Sequence, residues 1–174
     1  MRRSRSTAKL APRAMGWSDE HFDSLKRRHA AFDPAIQRAV LTLGTTAQRV
    51  ENAVAGWLAS GDLTPQKFSV LLLLYAEGKP VALSTLRRYL MTTQANVTGL
   101  AGGLESDGLV ERTTSERDAR VSLLRLSRQG KRAIAAHLNE YLARSRNAAR
   151  TLSPSERRQL TALLDRLASG YEAA

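Results

Sequence analysis

Between residues 83 and 126 the hydrophobic period changes from helical to strand-like, and few folds accept that order. Leu83, Leu86 and Leu90 recur at helical spacing, with Ser84 placed to cap that helix. Met91, Thr92 and Thr93 interrupt the pattern, and either threonine can cap the next helix. There Val97, Leu100 and Leu104 form the inward stripe, while Gln94, Asn96 and Thr98 lie mostly off it. Gly108 supplies the left-handed residue that commonly ends a helix. Residues 109–113 and 121–126 are rich in aliphatic and β-branched side chains and are expected to pair as a hairpin. Residues 114–120, which include Arg117, Asp118 and Arg120, have no apolar stripe and read as an exposed loop.

A helix, a turn, a second helix and a hairpin make a winged helix-turn-helix, with small polar side chains where a base-reading helix needs them. These residues resemble the MarR family of bacterial transcriptional regulators. The resemblance is carried by residues 94–100, Leu104-Glu105, residues 108–110, Asp118 with Arg120, and Leu126-Ser127 with Gly130. At motif level it covers roughly residues 63–130. The chain departs from the family pattern at Gly102 and Gly103, where members more often carry Asp and Arg, and at Ser115, where many carry Asp. Two glycines inside a helix cost about 1 kcal/mol each relative to alanine. They also remove an arginine that the resemblance assigns to phosphate contact.

At 174 residues the chain suits one domain. Its net charge of +11 points to a polyanionic partner before a neutral small molecule. The charge is uneven: residues 1–32 carry eight Lys or Arg against three acids, and residues 128–174 carry nine against four. With no cysteine, disulfides, thiol chemistry and Cys-based metal sites are excluded, and so is the oxidant sensing through cysteine of some family members. No apolar run is long enough to span a membrane, and the basic N-terminus lacks the apolar core of a secretory signal. A cytoplasmic protein is expected. His21, His29 and His137 form no metal-binding pair, and no phosphate-cradling glycine loop or nucleophile elbow appears, so no enzyme, cofactor or metal is expected.

Residues 1–16 read as a disordered basic tail, and residues 17–174 as a single domain. Ser18, Asp19 and Glu20 open a short helix to about Ala31 with Phe22 and Leu25 inward. Asp33-Pro34 opens a longer one, in which Ile36, Val40, Leu43, Ala47, Val50, Val54 and Trp57 form a stripe expected to be buried, ending near Ser60-Gly61. Thr64-Pro65 starts a helix through Phe68, Leu71, Leu72 and Tyr75, and Val81-Ala82 can add a third strand. Ser127 to Gly130 opens a helix with Ile134, Leu138, Tyr141 and Leu142 on one side. Ser153, Pro154 and Glu156 make a capping box before Leu160, Leu163, Leu164, Leu167 and Tyr171. The expected fold is mainly α with a small β-hairpin wing. Residues 63–127 form the winged helix-turn-helix, and residues 34–62 and 128–174 are helices left over for a two-fold homodimer, the segments by which the family dimerises.

The function expected is sequence-specific binding of double-stranded DNA by a homodimeric regulator, a repressor as the resemblance implies. Its effector is expected to be a small anionic or aromatic molecule bound between the dimerisation helices and the winged helix. Gln94, Asn96 and Thr98 are the base-edge candidates, since Gln and Asn suit adenine and Thr suits a thymine methyl. Ser84, Arg87, Thr92 and Thr93 are backbone-contact candidates. The resemblance assigns Arg120 to the minor groove and Asp118 to its orientation, with Arg117 nearby. Two alternatives stay open: an architectural DNA-binding protein without a specific operator, and a winged-helix module that binds protein.

Overall fold

The computed structural model describes residues 17–59, 63–116 and 118–172. The tail at residues 1–16, the helix end at Ser60-Gly61 and the loop residue Arg117 lie outside them. The chain divides into two compact units, Met1–Gly56 and Trp57–Ala174.

In the first unit, α1 spans Asp19–Arg28, three residues short of Ala31. His21 closes the helix start, its Nδ1 accepting the Ser18 amide at 3.0 Å. Phe22 is buried beside Trp17 and Phe32, with ring centroids 5.6 and 6.2 Å away. The Arg38 guanidinium lies 4.2 Å from the Phe22 ring centre and pairs with Asp19 at 2.6 Å. Leu25 is only half-buried. Helix α2, Pro34–Leu58, starts as its proline demands: the Asp33 carboxylate accepts the amides of Ala35 and Ile36.

The α2 stripe is not buried as expected. Ile36 is 58% and Val50 55% exposed, and Leu58, outside the expected stripe, is the one buried residue of the helix. Helical spacing identifies an apolar face but does not say what covers it, and the single chain leaves this one open.

The second unit holds the core. Helix α3, Pro65–Glu77, is capped by Thr64, whose hydroxyl accepts the Lys67 amide. It buries Phe68, Val70, Leu71 and Leu74. Tyr75, expected on that face, is half exposed, because the buried side falls on Leu74 instead. Strand β1, Val81–Ala82, runs directly into α4, Leu83–Tyr89, and α5 spans Gln94–Ser106. Strands β2, Val110–Thr114, and β3, Ser122–Leu126, follow. The sheet is antiparallel in the order β1-β3-β2, with Val81 opposite Leu124 and Arg112 also opposite Leu124. Burial of Leu86, Val97, Ala101, Leu104, Val110, Leu124 and Ile134 closes the sheet against the helices. Each fully buried aliphatic of this size contributes about 1.5–3 kcal/mol.

Helix α6, Arg128–Ala148, passes through a short 3-10 turn, Ala149–Thr151, to α7, Pro154–Glu172. The capping box of α7 is as expected: Glu156 accepts the Ser153 amide at 2.7 Å, and Ser153 accepts the Glu156 amide at 3.3 Å. Yet α7 buries no residue, and Leu160, Leu163, Leu164 and Tyr171 stay exposed. Trp57 packs edge-on to Tyr141, which in turn meets Phe68, a packing role rather than an exposed one. Among the described residues no helix is long and apolar enough to cross a membrane, and no three His, Asp or Glu are grouped to hold a metal ion.

Gly130 is the tightest point of the fold, since a Cβ there would lie 1.9 Å from the Leu109 carbonyl oxygen. Gly130→Ala is expected to lose about 3 kcal/mol of stability in urea unfolding, from forced overpacking against backbone. Gly170→Ala, with nothing within 4 Å of its Cβ, serves as control and is expected to lose none.

Candidate nucleic-acid interface

Ala82, not Ser84, is the cap residue of α4, and it offers no side-chain bond. Strand β1 enters the helix without a polar linker, so Ser84 falls inside the first turn, where it is exposed. Arg87 and Arg88 occupy the exposed last turn, favourably placed at the negative end of the helix. Thr93 caps α5, its hydroxyl accepting the Asn96 amide at 3.3 Å.

Val97, Ala101 and Leu104 turn inward, which leaves Gln94, Asn96, Thr98 and Gly99 on the open side of α5. Leu100, expected in the stripe, is half-buried, and Ala101 takes the buried place. The Asn96 side-chain amide donates to the Thr92 hydroxyl at 3.0 Å. That bond fixes the amide while leaving one N–H and the carbonyl oxygen free, a donor–acceptor pair matched to adenine. The Thr98 hydroxyl donates to the Gln94 carbonyl at 2.9 Å and accepts Gln94 Nε2 at 3.5 Å, which joins the two exposed side chains.

In the wing loop, Asp118 and Arg120 form a closed fork. Asp118 Oδ1 accepts the Arg120 amide at 3.0 Å and its Nε at 3.1 Å, and Oδ2 accepts Nη2 at 3.3 Å. The Ser115 amide donates to Val121 and the Val121 amide to Asp118, which closes the loop. The Arg120 side chain is 91% exposed, so the fork presents a guanidinium rather than hiding it.

Arg112 escaped the sequence reading. Its Nε donates to Glu105 of α5 at 3.1 Å and its Nη1 to Ser122 of β3 at 3.1 Å. This one side chain on β2 ties the helix to both wing strands. Its strand neighbours, Glu111 and Thr113, gave no signal of this role. Lys67 of α3 pairs with Asp107 at the end of α5, pinning its far end.

A three-helix core, a three-stranded sheet and an exposed polar helix beside a basic hairpin define a winged helix-turn-helix protein. Residues 62–121 match the model of the MarR family. That match spans the winged helix-turn-helix stretch, over which this chain is similar to transcriptional regulators of the family. It is 27% identical over 124 residues to the HTH-type transcriptional repressor YetL of Bacillus subtilis (strain 168), covering 71% of this chain and 72% of the relative. A probable transcriptional regulator from Pseudomonas aeruginosa has a similar structure (29% identity, TM-score 0.59), covering 71% of this chain and 95% of that one. The MepR–DNA complex of S. aureus shares the fold at TM-score 0.71 and 20% identity, covering 76% of this chain and 95% of that one.

Arg120, first through its side chain and then through its amide, holds the Asp118 carboxyl below the usual carboxylate value. A carboxylate with a depressed folded-state value keeps its contribution above the ordinary range and loses it as pH falls through the lowered value. Carboxylate titration followed by NMR is expected to find Asp118 below an unpaired aspartate, and Arg120→Ala to return it upward. An unchanged midpoint would dissolve the fork.

Proposed function

We propose that this chain is a homodimeric repressor that binds a pseudo-palindromic DNA operator and is released by a small effector. The observation that carries the reading is the pairing of an exposed, pre-oriented Asn96 with the outward guanidinium of Arg120 on one winged helix. The helix α5 enters a major groove with Gln94, Asn96 and Thr98 at base edges. Arg120, held by Asp118 and accompanied by Arg117, reaches the adjacent minor groove, where negative potential is concentrated. Ser84, Arg87, Thr92 and Thr93 meet the phosphate backbone between them. The MepR relative is solved on DNA, and YetL is a repressor; both support the reading.

Open apolar surface supports the dimer. Within residues 34–62 and 128–174, helices α2 and α7 carry apolar stripes that one chain leaves open, most plainly in α7. A two-fold pairing covers them and sets two reading heads about one helical turn of DNA apart, roughly 34–36 Å. Residues 63–127 supply the head, and residues 17–174 form one functional domain with its site of action in the cytoplasm. The effector is an anionic or aromatic molecule, and a groove of about 420 Å³ offers it Lys79, Arg125 and Lys131 against Leu74 and Leu126. Such a ligand acts only through unequal affinity for the two arrangements of the heads. The work is binding, with no catalytic step.

Selection from a random duplex library, followed by competition at fixed salt, tests the reading. A preferred duplex should bind about a thousandfold more tightly than random sequence. Equal affinity for all sequences would favour an architectural protein, and no salt-dependent binding would favour a protein-interaction module. Arg120→Ala is expected to weaken the selected duplex by about ten-fold or more with the dimer intact by sedimentation. Asn96→Ala is expected to change base preference more than the salt slope; a loss uniform across sequences would make Asn96 a phosphate contact.

A further inference from the structure

The turn between α4 and α5 closes with a pair of backbone bonds. The Met91 amide donates to the Arg88 carbonyl at 3.2 Å, and the Thr92 amide donates to the Arg87 carbonyl at 3.3 Å. Helix α5 ends in the same way: the Gly108 amide donates to Glu105 and the Leu109 amide to Leu104, both at 2.9 Å. This closure needs a left-handed residue at its centre, a conformation that glycine adopts without a steric penalty. Gly108 meets the need with φ +69, whereas α4 uses Met91 with φ +48. Among the described residues Met91 is the only non-glycine with positive φ.

Beyond those two backbone bonds, no side-chain burial offsets that strain among the described residues. The Met91 side chain is 80% exposed, so its burial adds almost nothing to the fold. Tyr89, two residues earlier, is also half exposed. Strained residues are held by the structure around them and cluster at functional sites, which makes an exposed one a candidate contact. The surroundings identify the partner as a polyanion: Arg87 and Arg88 precede the turn, exposed, and the Thr92–Asn96 bond follows it.

We propose that Met91 and Tyr89 pack against apolar atoms of duplex DNA, the deoxyribose carbons and a thymine 5-methyl, beside phosphates engaged by Arg87 and Arg88. This rests on the DNA-binding reading above. An unbranched thioether suits the task, since it bends to fit an irregular surface. The turn therefore contributes specificity that neither α5 nor the wing supplies, and it does so at the expense of stability.

The test uses the full chain and the duplex recovered by selection, at one salt concentration. Met91→Gly is expected to raise Tm by about 2–4 °C, because the strain is relieved. The same variant is expected to bind the duplex about ten-fold more weakly. Met91→Leu keeps the apolar volume and the strained backbone, so it should hold affinity within about two-fold and gain no stability. Replacing the contacted thymine by uracil, which removes the methyl group, should weaken the wild type more than the glycine variant. A stabilised Met91→Gly that binds as tightly as wild type would overturn the proposal, as would a leucine variant no better than glycine. A change in sedimentation of Met91→Gly would also overturn it, marking the turn as a contact between copies. If the wild type binds no duplex, the DNA-binding reading falls with it. If the wild type binds and the glycine variant is unchanged, only the role of Met91 falls.

Discussion

Ser127 ties the end of the reading helix to the start of α6. Its hydroxyl donates to the Gly108 carbonyl at 2.6 Å and accepts the Gly130 amide at 2.9 Å, while its own amide donates to Leu109 at 3.1 Å. The end of α5, the start of β2, the end of β3 and the first turn of α6 are thus brought within hydrogen-bond reach of one residue. At 8% exposure these bonds meet little competing water, which strengthens them and makes each costly to break. Gly130 lets the backbones approach this closely.

The caps and periods were readable because each is a local event. Thr64, Thr93, Ser127 and the Ser153–Glu156 pair all lie within a few residues of the amides they satisfy. Ser84 misled because a strand that passes straight into a helix puts the cap on Ala82, whose side chain has no polar signal. The position of Arg112 was unreadable in principle: its partners Glu105 and Ser122 become neighbours only when the hairpin register and helix docking are both set. Met91 hid for the opposite reason, since methionine carries none of the glycine signal that marks a left-handed turn.

The open apolar faces show another limit of sequence. Spacing along α2 gave an apolar face but not its burial, because a period does not say what covers a face; the α7 stripe, expected to be left over within one chain, is exposed. In α3, by contrast, neighbouring elements supply the cover, and Phe68, Leu71 and Leu74 are fully packed. The winged helix thus closes its own core within one chain, while the terminal helices keep their apolar sides available.

The glycines of α5 give the reading surface room to change. A Cβ at Gly99 or Gly102 would meet nothing within 4 Å, and one at Gly103 would make ordinary contact with Lys67. Vacant positions on a helix already anchored by Val97, Ala101 and Leu104 can accept new side chains one at a time without disturbing what lies beneath. A lineage carrying this helix could acquire a different binding preference through single codon changes, each of them tolerated by the fold before it is useful to the cell.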